Sequence, residues 1–426
     1  MLYRFLYSIL ITLLALPAAI YLRFHGRYRP LLQRFSPTLP NLDQPPVWIQ
    51  AASLGEVNTA LPLLKQIRGR WPEAPLLLTT STLTGMARAT EGVEHIEGIV
   101  IAWFPFDLPI VVNRFFRQAA PRCLILVETE LWPNVLARAN RGNVPITIVN
   151  GRISERHFER YCRVQGLFEP LLNSVAAAMM QTQTDVDRIS QLGVQREKTS
   201  VLGSTKFDGA QTEVDRAVQE SLREALALSE DSTVLLFGST RPGDEALAAQ
   251  CWSSLLDAFP ALFLILVPRH LDRIEDAMAP FRDSANLRWS HLIENGRKRS
   301  DERVLFVDTM GELGRFYSIA DVAVVGGSFS EDVQGHNPIE PTALGVATVF
   351  GPCMKNFELP ARILLAAQGA RQVESSGLLL ETLKEILASS DLRDKLGRNG
   401  RQSVLENRGA LAATLDALAR ILDDAR

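Results

Sequence analysis

The sequence has few of the residues that build disulfide scaffolds or metal centres. Its 426 residues include four cysteines and six histidines. No CxxC pair, HxxxH pair or mixed cluster of the two residue types occurs. A disulfide framework shows recurring cysteine spacings, and structural zinc ligands come in closely spaced pairs. We therefore expect free thiols in a reducing compartment and no metal site made by the protein.

The chain also lacks a strong excess of charge of either sign. It has 45 basic and 48 acidic side chains, a net charge of −3, which gives no reason to expect nucleic acid as a partner. Hydrophobic residues at 46% and charged residues at 22% are globular proportions, which exclude a disordered, collagen-like or coiled-coil chain. Acidic residues are absent before Asp43, where the only charged side chains are arginines: Arg4, Arg23, Arg27, Arg29 and Arg34.

Long apolar runs are missing except at the N-terminus. Phe5–Leu22 carries no charge and just reaches the ~17–25 residues that a bilayer crossing requires. The arginines that follow favour retention of the C-terminal side in the cytoplasm. We predict a membrane anchor with a basic juxtamembrane segment over residues 1–42. A cleaved signal peptide, for which Pro17–Ala19 is a poor cleavage site, and an interfacial helix are the alternatives.

After this segment, short β-branched runs alternate with amphipathic stretches such as Val57–Arg70, a pattern of parallel βαβ units. The alternation forms two series, which predict Rossmann-like domains over residues 43–210 and 211–426. The polar stretch Arg288–Arg303 is predicted to be a surface loop, and Ala410–Ile421 a terminal helix. The predicted strands are Val47–Ala52, Leu76–Ser81, Ile99–Phe104, Cys123–Val127, Pro145–Asn150, Val175–Gln181 and Ser200–Gly203 in the first domain, and Val234–Gly238, Leu262–Val267, Val304–Val307, Val322–Gly326 and Ala347–Phe350 in the second.

Polar residues follow several strands of the first domain, where ligands of such folds bind. Glu56 in SLGE fits either a capping box with Ser53 or a proton acceptor, which would need burial or anionic neighbours to become basic. Glu128 in ETELWPN either lines a helix start that Thr129 caps or supplies negative charge to a developing cation. Lys206 in GSTKFD fits either a surface ion pair with Asp208 or a contact with a phosphate or carboxylate.

The second domain offers sites for anions at its strand ends. Phe237–Glu245 is a Gly/Ser-rich loop between a strand and a helix, although it is neither a Walker loop nor GxGxxG. Arg269 ends the next strand. The richest segment runs from Gly326 to Glu340, where we expect Asn337 to cap and Pro338 to open a helix, with Glu340 placed to accept ribose hydroxyls. This segment predicts a nucleotide site.

Taken together, these strings resemble the Kdo transferases, the 3-deoxy-D-manno-octulosonic acid transferases of lipopolysaccharide assembly. The matching strings span roughly residues 47–357, and ETELWPN and the GGS…GHNPIE pair are highly specific. In chain order they are SLGE, TTSTLTG, ETELWPN, NGRIS, GSTKFD, LILVPRH, DTMGEL, FYSIADVAVVGGS and GHNPIEP.

The resemblance implies an α/β fold of the GT-B type, with two facing Rossmann-like domains, an N-terminal acceptor domain and a C-terminal CMP-sugar domain. By matching position, Glu56 is the general base, and Glu128 and Lys206 are transition-state stabilisers. The matched CMP-binding residues are Pro268, Arg269, Met310, Gly311, Glu312, Asn337, Pro338, Ile339 and Glu340.

The function that this resemblance implies is inverting transfer of Kdo from CMP-Kdo to a lipid A precursor. It also implies a location at the cytoplasmic side of the inner membrane, held by a single-pass anchor. No cofactor or metal is expected, because lysine, arginine and backbone amides can offset the charge of the leaving phosphate. Two alternatives remain at this point: a GT-B transferase with another donor, such as a UDP-sugar or CMP-sialic acid, and a membrane-tethered α/β binding protein without catalytic activity.

Overall fold

A computed structural model of the chain describes residues 2–296 and 302–424. The chain forms two compact units, Met1–Asp208 together with Arg408–Arg426, and Gly209–Asn407. The predicted boundary at residue 210 therefore lies two residues from the observed one at Asp208. All the strands predicted from the sequence are present, seven in the first unit and five in the second.

The first unit is built on a seven-stranded parallel sheet with the order β3-β2-β1-β4-β5-β6-β7. Its central strands are short apolar runs buried from end to end, as expected for a parallel sheet covered on both faces. The order reverses between β1 and β4, which makes the carboxyl ends of these two strands the place where ligands bind in such sheets. The strands are β1 Val47–Gln50, β2 Leu76–Thr80, β3 Ile99–Trp103, β4 Cys123–Val127, β5 Ile146–Gly151, β6 Ala177–Met180 and β7 Thr199–Val201.

Amphipathic helices cover this sheet and form one apolar core on each of its faces. Trp48 lies in one core against Phe104, Phe115 and Phe116. Short 3₁₀ segments occupy Gly26–Phe35 and Arg196–Lys198. The α-helices are α1 Leu2–Phe24, α2 Leu54–Arg70, α3 Leu83–Val93, α4 Pro109–Ala119, α5 Pro133–Arg141, α6 Glu155–Cys162, α7 Gln165–Leu172 and α8 Gln183–Gln191.

The second unit repeats the plan with the strand order β10-β11-β9-β8-β12-β13-β14, again fully parallel. Two of its strands, β10 and β14, were not predicted, because each has only three residues and little apolar character. The strands are β8 Thr233–Thr240, β9 Leu262–Pro268, β10 Asn286–Arg288, β11 Val304–Phe306, β12 Val322–Val325, β13 Ala347–Phe350 and β14 Ala370–Gln372.

The helices of the second unit again lie on both faces of the sheet. Short 3₁₀ segments occupy Leu271–Arg273, Ala279–Phe281 and Lys355–Phe357. The α-helices are α9 Arg216–Ala225, α10 Asp244–Leu255, α11 Ile274–Met278, α12 Trp289–Asn295, α13 Leu313–Tyr317, α14 Ile339–Ala343, α15 Glu358–Ala366, α16 Ser376–Ala388 and α17 Ser390–Glu406.

The prediction that Arg288–Arg303 is a surface loop is wrong over its first half. Trp289–Asn295 forms α12, whose Trp289 and Leu292 are buried in the core of the second unit. Asp308 fixes the start of this helix by accepting hydrogen bonds from the backbone N–H and hydroxyl of Ser290 at 2.9 and 2.6 Å. Residues 297–301 of the predicted loop lie outside the described part of the chain.

The predicted domain 211–426 is wrong at its C-terminal end. The last helix, α18 Ala410–Asp424, belongs to the first unit. Its Leu418, Ala419 and Leu422 are buried against the β1 and α2 side of the first sheet. Asp208 accepts hydrogen bonds from the backbone N–H groups of Gly409 and Leu411 at 2.7 and 3.0 Å, so the chain re-enters this unit beside the point where it left.

Candidate active site

The carboxyl ends of the central strands in the first sheet carry the residues that the sequence singles out. Glu56 opens α2 after β1, Glu128 follows β4, and Lys206 comes after β7. Because all strands of this sheet are parallel, these ends share one edge. The structure therefore brings the three predicted catalytic residues to the same side of one unit.

Glu56 is both part of the helix cap and a half-buried acid. Its carboxylate accepts hydrogen bonds from the backbone N–H of Ala52 at 2.7 Å and from the Ser53 hydroxyl at 2.9 Å, and Ser53 in turn caps the helix. The predicted cap by Ser53 is thus present, but the carboxylate of Glu56 accepts from the backbone of Ala52 and not from that of Ser53 as in a standard capping box. Burial, and next the negative charge of Glu130, raise the pKa of Glu56 to about 8 against the opposing effect of the Ala52 hydrogen bond.

Glu128 has an unusual backbone for a residue with a side chain. Its φ is +59°, in the left-handed region that non-glycine residues seldom adopt. Such strain is typical of functional sites, where the surroundings hold it in place. The residue as a whole is 9% exposed. Its carboxylate accepts a hydrogen bond from Arg152 Nε at 2.7 Å, which gives this buried acid a charged partner.

Lys206 is half-buried beside these acids. Burial lowers the pKa of Lys206, the charges of Glu128 and Glu56 act in the opposite direction, and Arg152 adds to the lowering. Asp208 accepts hydrogen bonds from the backbone at the start of α18. Of the two alternatives for this segment, the cap by Thr129 is not found: the N-cap of α5 is Trp132, and the Thr129 hydroxyl donates to the backbone carbonyl of Arg152.

Two further charged residues of this cluster were not assigned a role from the sequence. Glu130 accepts a hydrogen bond from Trp132 Nε1 at 2.8 Å, and burial raises its pKa. Arg34 donates to the backbone carbonyl of Phe104 at 3.1 Å, and burial lowers the pKa of this guanidinium to about 10. Its position in a run of otherwise exposed arginines gave no signal that it is buried.

In the second unit, the equivalent strand ends hold a group of basic side chains. Arg269 follows β9 directly, and Arg241 lies in the loop after β8. Burial lowers the pKa of His336 to about 4, followed in size by the charges of Arg269, Arg241 and His270. All three charges act in the same direction on His336, so positive charge is concentrated at this edge of the second sheet, a setting that favours an anion.

The loop around residue 340 is close to the predicted local structure, but the helix begins one residue later, with Pro338 and not Asn337 as the N-cap. Asn337 Oδ1 accepts a hydrogen bond from the Ile339 backbone N–H at 3.0 Å, and Asn337 Nδ2 donates to Glu340 Oε1 at 3.0 Å. Helix α14 begins at Ile339, directly after Pro338. Burial raises the pKa of Glu340, while Arg269 acts to lower it, which places Glu340 near the basic group.

The glycines before this loop allow two backbone segments to approach closely. A Cβ on Gly326 would lie 2.5 Å from the carbonyl oxygen of Ser239, and Gly327 has a φ of +67°. Asp244 joins the same two loops by accepting hydrogen bonds from the backbone N–H groups of Arg241 and Gly327 at 2.8 and 2.7 Å. The sequence gave no indication of this role for Asp244.

The segment Met310–Glu312 lies at the start of α13, which packs against α14. Gly311 has a φ of +83°, and Met310 is 68% exposed. Glu312 forms an ion pair with Arg315 at 2.7 Å. The exposed methionine and the turn at Gly311 leave this segment accessible to a ligand.

No group of three or more His, Cys, Asp or Glu side chains suited to a metal ion occurs within residues 2–296 and 302–424. The charged groups at hand are instead buried carboxylates with an adjacent lysine and arginine in the first unit, and arginines with histidines in the second. The first set can move a proton and stabilise a cationic centre. The second can bind an anionic group such as a phosphate.

Solved structures show which fold class this plan belongs to. A glycosyltransferase from Rickettsia africae is similar over 89% of this chain and 99% of its own, with a TM-score of 0.57 and 11% identity. A UDP-GlcNAc 2-epimerase from Neisseria meningitidis is similar over 88% of this chain and 99% of its own, with a TM-score of 0.53 and 13% identity. The chain has the GT-B fold, with two parallel-sheet α/β domains.

Sequence comparison identifies the family. A family model described as 3-deoxy-D-manno-octulosonic-acid transferase (Kdo transferase) matches residues 25–209. The 3-deoxy-D-manno-octulosonic acid transferase of Haemophilus influenzae is 33% identical over 404 residues, covering 93% of this chain and 92% of its own. That of Bordetella pertussis is 33% identical over 383 residues, covering 88% and 86%. The chain belongs to the Kdo transferase family and is a glycosyltransferase.

Proposed function

We propose that this enzyme transfers Kdo from CMP-Kdo to a lipid A precursor, with inversion at the anomeric carbon. The observation that carries the proposal is the cluster of Glu56, Glu128 and Lys206 at one edge of the first sheet. In a member of this family, a half-buried carboxylate with a raised pKa at that edge has the properties of a base for an acceptor hydroxyl.

In the proposed reaction, ionised Glu56 takes the proton of the acceptor hydroxyl as its oxygen attacks the anomeric carbon of Kdo. The attack comes from the face opposite CMP, so that the bond to the phosphate breaks as the new glycosidic bond forms. A pKa near the working pH is favourable for such a base. The burial of Glu56 and the charge of Glu130 supply the basicity that a carboxylate at a helix start otherwise lacks.

Glu128 and Lys206 act on the charges that change during the transfer. An oxocarbenium-like centre develops on the sugar, as in glycoside hydrolysis, and the carboxylate of Glu128 stabilises it. The ammonium of Lys206 can pair with the carboxylate of Kdo or with the departing phosphate. Arg152 holds Glu128 through the 2.7 Å hydrogen bond, so the carboxylate needs little reorganisation when charge develops.

The second unit is proposed to bind the CMP part of the donor. Pro268, Met310, Gly311, Pro338 and Ile339 shape the site around the polar groups. Arg269 and the neighbouring Arg241 offset the phosphate charge, which supports a transfer without a metal or cofactor, and His336, neutral because of its lowered pKa, can donate a hydrogen bond. Glu340, oriented by Asn337 at 3.0 Å, accepts the ribose hydroxyls.

The acceptor is proposed to be reached from the cytoplasmic side of the inner membrane. Within residues 2–296 and 302–424, α1 alone is long and apolar enough to cross a bilayer, with a mean hydropathy of 2.2 over an 18-residue window. This composition supports membrane attachment through α1, and the basic segment after it favours the cytoplasmic side for the catalytic units.

Donor competition tests this proposal. The purified full-length enzyme would be incubated with a tetra-acylated lipid A precursor and, in separate reactions, CMP-Kdo generated in situ, CMP-sialic acid or a UDP-sugar. We expect Kdo to be added only from CMP-Kdo, and mass spectrometry counts the sugars on each product. Turnover of a UDP-sugar or of CMP-sialic acid, with none of CMP-Kdo, would show that the donor is assigned wrongly.

A further inference from the structure

The first helix is held on the surface of the first unit along much of its length. The ring of Tyr3 lies against Gly166. The Tyr7 hydroxyl donates to Asp107 Oδ2 and the Ser8 hydroxyl to Asn134 Oδ1, both at 2.9 Å. Further along, Ile11 and Ala15 pack with Leu108 and Val111. These helix residues recur at the spacing of one helical face, so one face of α1 is a protein interface.

The two hydrogen bonds from α1 end on groups that are buried and structurally important. Asp107 is 1% exposed and caps α5 by accepting from the backbone N–H groups of Asn134 and Val135 at 3.0 and 2.9 Å. Asn134 Nδ2 also donates to the Asp107 carbonyl at 2.7 Å. If α1 moved away from the first unit, Asp107 and Asn134 would each lose the hydrogen bond that α1 donates. Leaving buried polar groups without such partners is unfavourable.

A docked helix of this length cannot also cross a bilayer. The contacts extend from Tyr3 to Ala15, which leaves only Leu16–Phe24 beyond the last of them. At about 1.5 Å per residue, those residues reach roughly 13 Å, less than half of the ~30 Å hydrocarbon core. While Tyr7 and Ser8 keep their partners, a single-pass orientation is excluded by length.

The opposite face of α1 is apolar and uncovered. Its large side chains are 43–69% exposed, far more contiguous apolar surface than a soluble monomer presents. The first unit adds Ile110, which is 77% exposed and adjoins Val111 in the interface with α1. The exposed apolar residues of the helix include Leu2, Phe5, Leu6, Ile9, Leu10, Leu13, Leu14, Leu16 and Ile20.

The charges around this surface indicate what covers it. Arg23, Arg27 and Arg29 are exposed at the C-terminal end of α1 and in the segment after it, and Arg4 lies at the other end. No acidic residue occurs before Asp43. Basic residues beside a lipid-inserted apolar face are attracted to the negative surface of a membrane with anionic lipids. Basic residues at both ends also favour a cytoplasmic location for both ends.

We propose that α1 is a monotopic helix, which lies in the cytoplasmic leaflet of an anionic bilayer while docked on the first unit through Tyr7 and Ser8. Its outward face enters the lipid interface, and both of its ends stay on the cytoplasmic side. This proposal replaces the single-pass crossing predicted from the sequence. It adds to the proposed function only the position of α1 relative to the membrane. It does not require that the donor is CMP-Kdo.

Accessibility of the N-terminus tests the orientation directly. A variant with a short Cys-Gly-Ser extension added in front of the N-terminal methionine, and with Cys162→Ser and Cys353→Ser to remove the half-buried native thiols, is treated with a membrane-impermeant maleimide in spheroplasts and in inverted membrane vesicles. A Glu230→Cys variant in the same background is the control for the cytoplasmic side, because Glu230 is exposed on the second unit. Transferase activity measured on the same vesicles reports on the proposed function independently.

We expect both cysteines to react in inverted vesicles and neither in intact spheroplasts. Reaction of the extension cysteine in spheroplasts would overturn the proposal, because it places the N-terminus outside. Reaction of the extension cysteine only after detergent is added would overturn it as well, because it places the N-terminus within the hydrocarbon core.

The choice of an anionic leaflet is tested by flotation of the full-length protein with vesicles of phosphatidylcholine, with or without phosphatidylglycerol. We expect several-fold stronger binding to the anionic vesicles, and a loss of most of that gain in an Arg27→Gln, Arg29→Gln variant. An Arg117→Gln, Arg282→Gln variant, altered at two exposed arginines elsewhere, should retain it. Binding that is independent of lipid charge would contradict the proposed partner.

Discussion

At the residue scale, the first unit places three glutamates, Glu56, Glu128 and Glu130, close enough to affect one another's charge in a region largely shielded from water. Burying charged groups in this way is unfavourable unless they are paired. Glu56 is part of the helix cap that its spacing from Ser53 predicts, and it has the burial that a proton acceptor requires. The two interpretations of SLGE are therefore compatible, because one carboxylate oxygen accepts from Ala52 and the other from Ser53. Arg152, Lys206 and Arg34 supply the positive charge that allows three glutamates to share this small region.

The pH dependence of the reaction follows from the pKa of Glu56. Because the base must be ionised, kcat/KM should rise with pH and level off above about 8, the pKa of Glu56. Glu130→Gln removes a negative charge that raises this pKa, so the rise should move to lower pH. At pH 6.5 the variant should retain a several-fold larger fraction of its own plateau activity than the wild type does.

Glu73→Gln, a change at an exposed glutamate of the same unit, is the matched control and should leave the profile unchanged. An identical profile for wild type and Glu130→Gln would show that Glu130 does not tune the base.

The sequence was informative on residues that follow strands and uninformative on charged residues buried by tertiary packing. Glu56, Glu128 and Lys206 could be proposed because strand ends meet at one edge of a parallel sheet. Arg34 could not, because nothing in a basic segment distinguishes the arginine that turns inward. Asp107 and Asp244 cap structures that are distant in sequence, and only the folded chain brings their partners to them.

At the element scale, the chain returns to the first unit for its last helix. The apolar side of α18 completes the core on the β1 and α2 side of the sheet, and Asp208 fixes its start. The apolar core of the first unit is therefore incomplete without residues that follow the whole second unit in the chain. Rossmann-like units of this kind depend on packed helices on both faces for their stability.

Truncation of a buried leucine in α18 should destabilise the first unit. Leu418 has no exposed surface, and its replacement by alanine should lower the free energy of unfolding by about 2–5 kcal/mol. Arg420→Ala, at an exposed position of the same helix, should change it by less than about 0.5 kcal/mol. Denaturant unfolding followed by circular dichroism measures both. Equal effects of the two changes would contradict the packing of α18 on this unit.

The elements that the sequence predicted are the long or strongly apolar ones. Strands β1 and β4 are runs of hydrophobic residues that can only be buried, and α2 has apolar residues at helical spacing. Strands β10 and β14 have three residues each and are strands only because a neighbour supplies their hydrogen bonds. The affiliation of α18 was not predictable, since an apolar helical face does not say which unit it packs against.

At the scale of the whole molecule, the chemistry is divided between two units that share one architecture. The first holds carboxylates suited to proton transfer, and the second holds cations suited to a phosphate. Neither set stands out in the overall net charge of −3, because opposite charges balance within and between the units. This division is what a transferase with a separate donor and acceptor requires.

Binding of CMP should depend on the second unit alone. Arg269→Ala removes a charge next to His336 and Glu340 and should weaken CMP binding by tenfold or more, as expected for a charge-assisted hydrogen bond worth ~1.5–3 kcal/mol. Glu56→Gln should leave CMP affinity unchanged, and so should Arg282→Ala, at an exposed arginine of the same unit. Isothermal titration calorimetry measures all three. Wild-type affinity in Arg269→Ala would remove this residue from the donor site.

The proposed mechanism depends most on transfer of the proton of the attacking hydroxyl to the Glu56 carboxylate. It is tested by the rate of Kdo addition to a lipid A precursor, followed by mass spectrometry for wild type and Glu56→Gln at saturating CMP-Kdo. We expect a loss of about 10²–10⁴-fold in the variant, with CMP affinity intact. A rate within tenfold of the wild type, a difference of less than about 1.4 kcal/mol in the barrier, would contradict it.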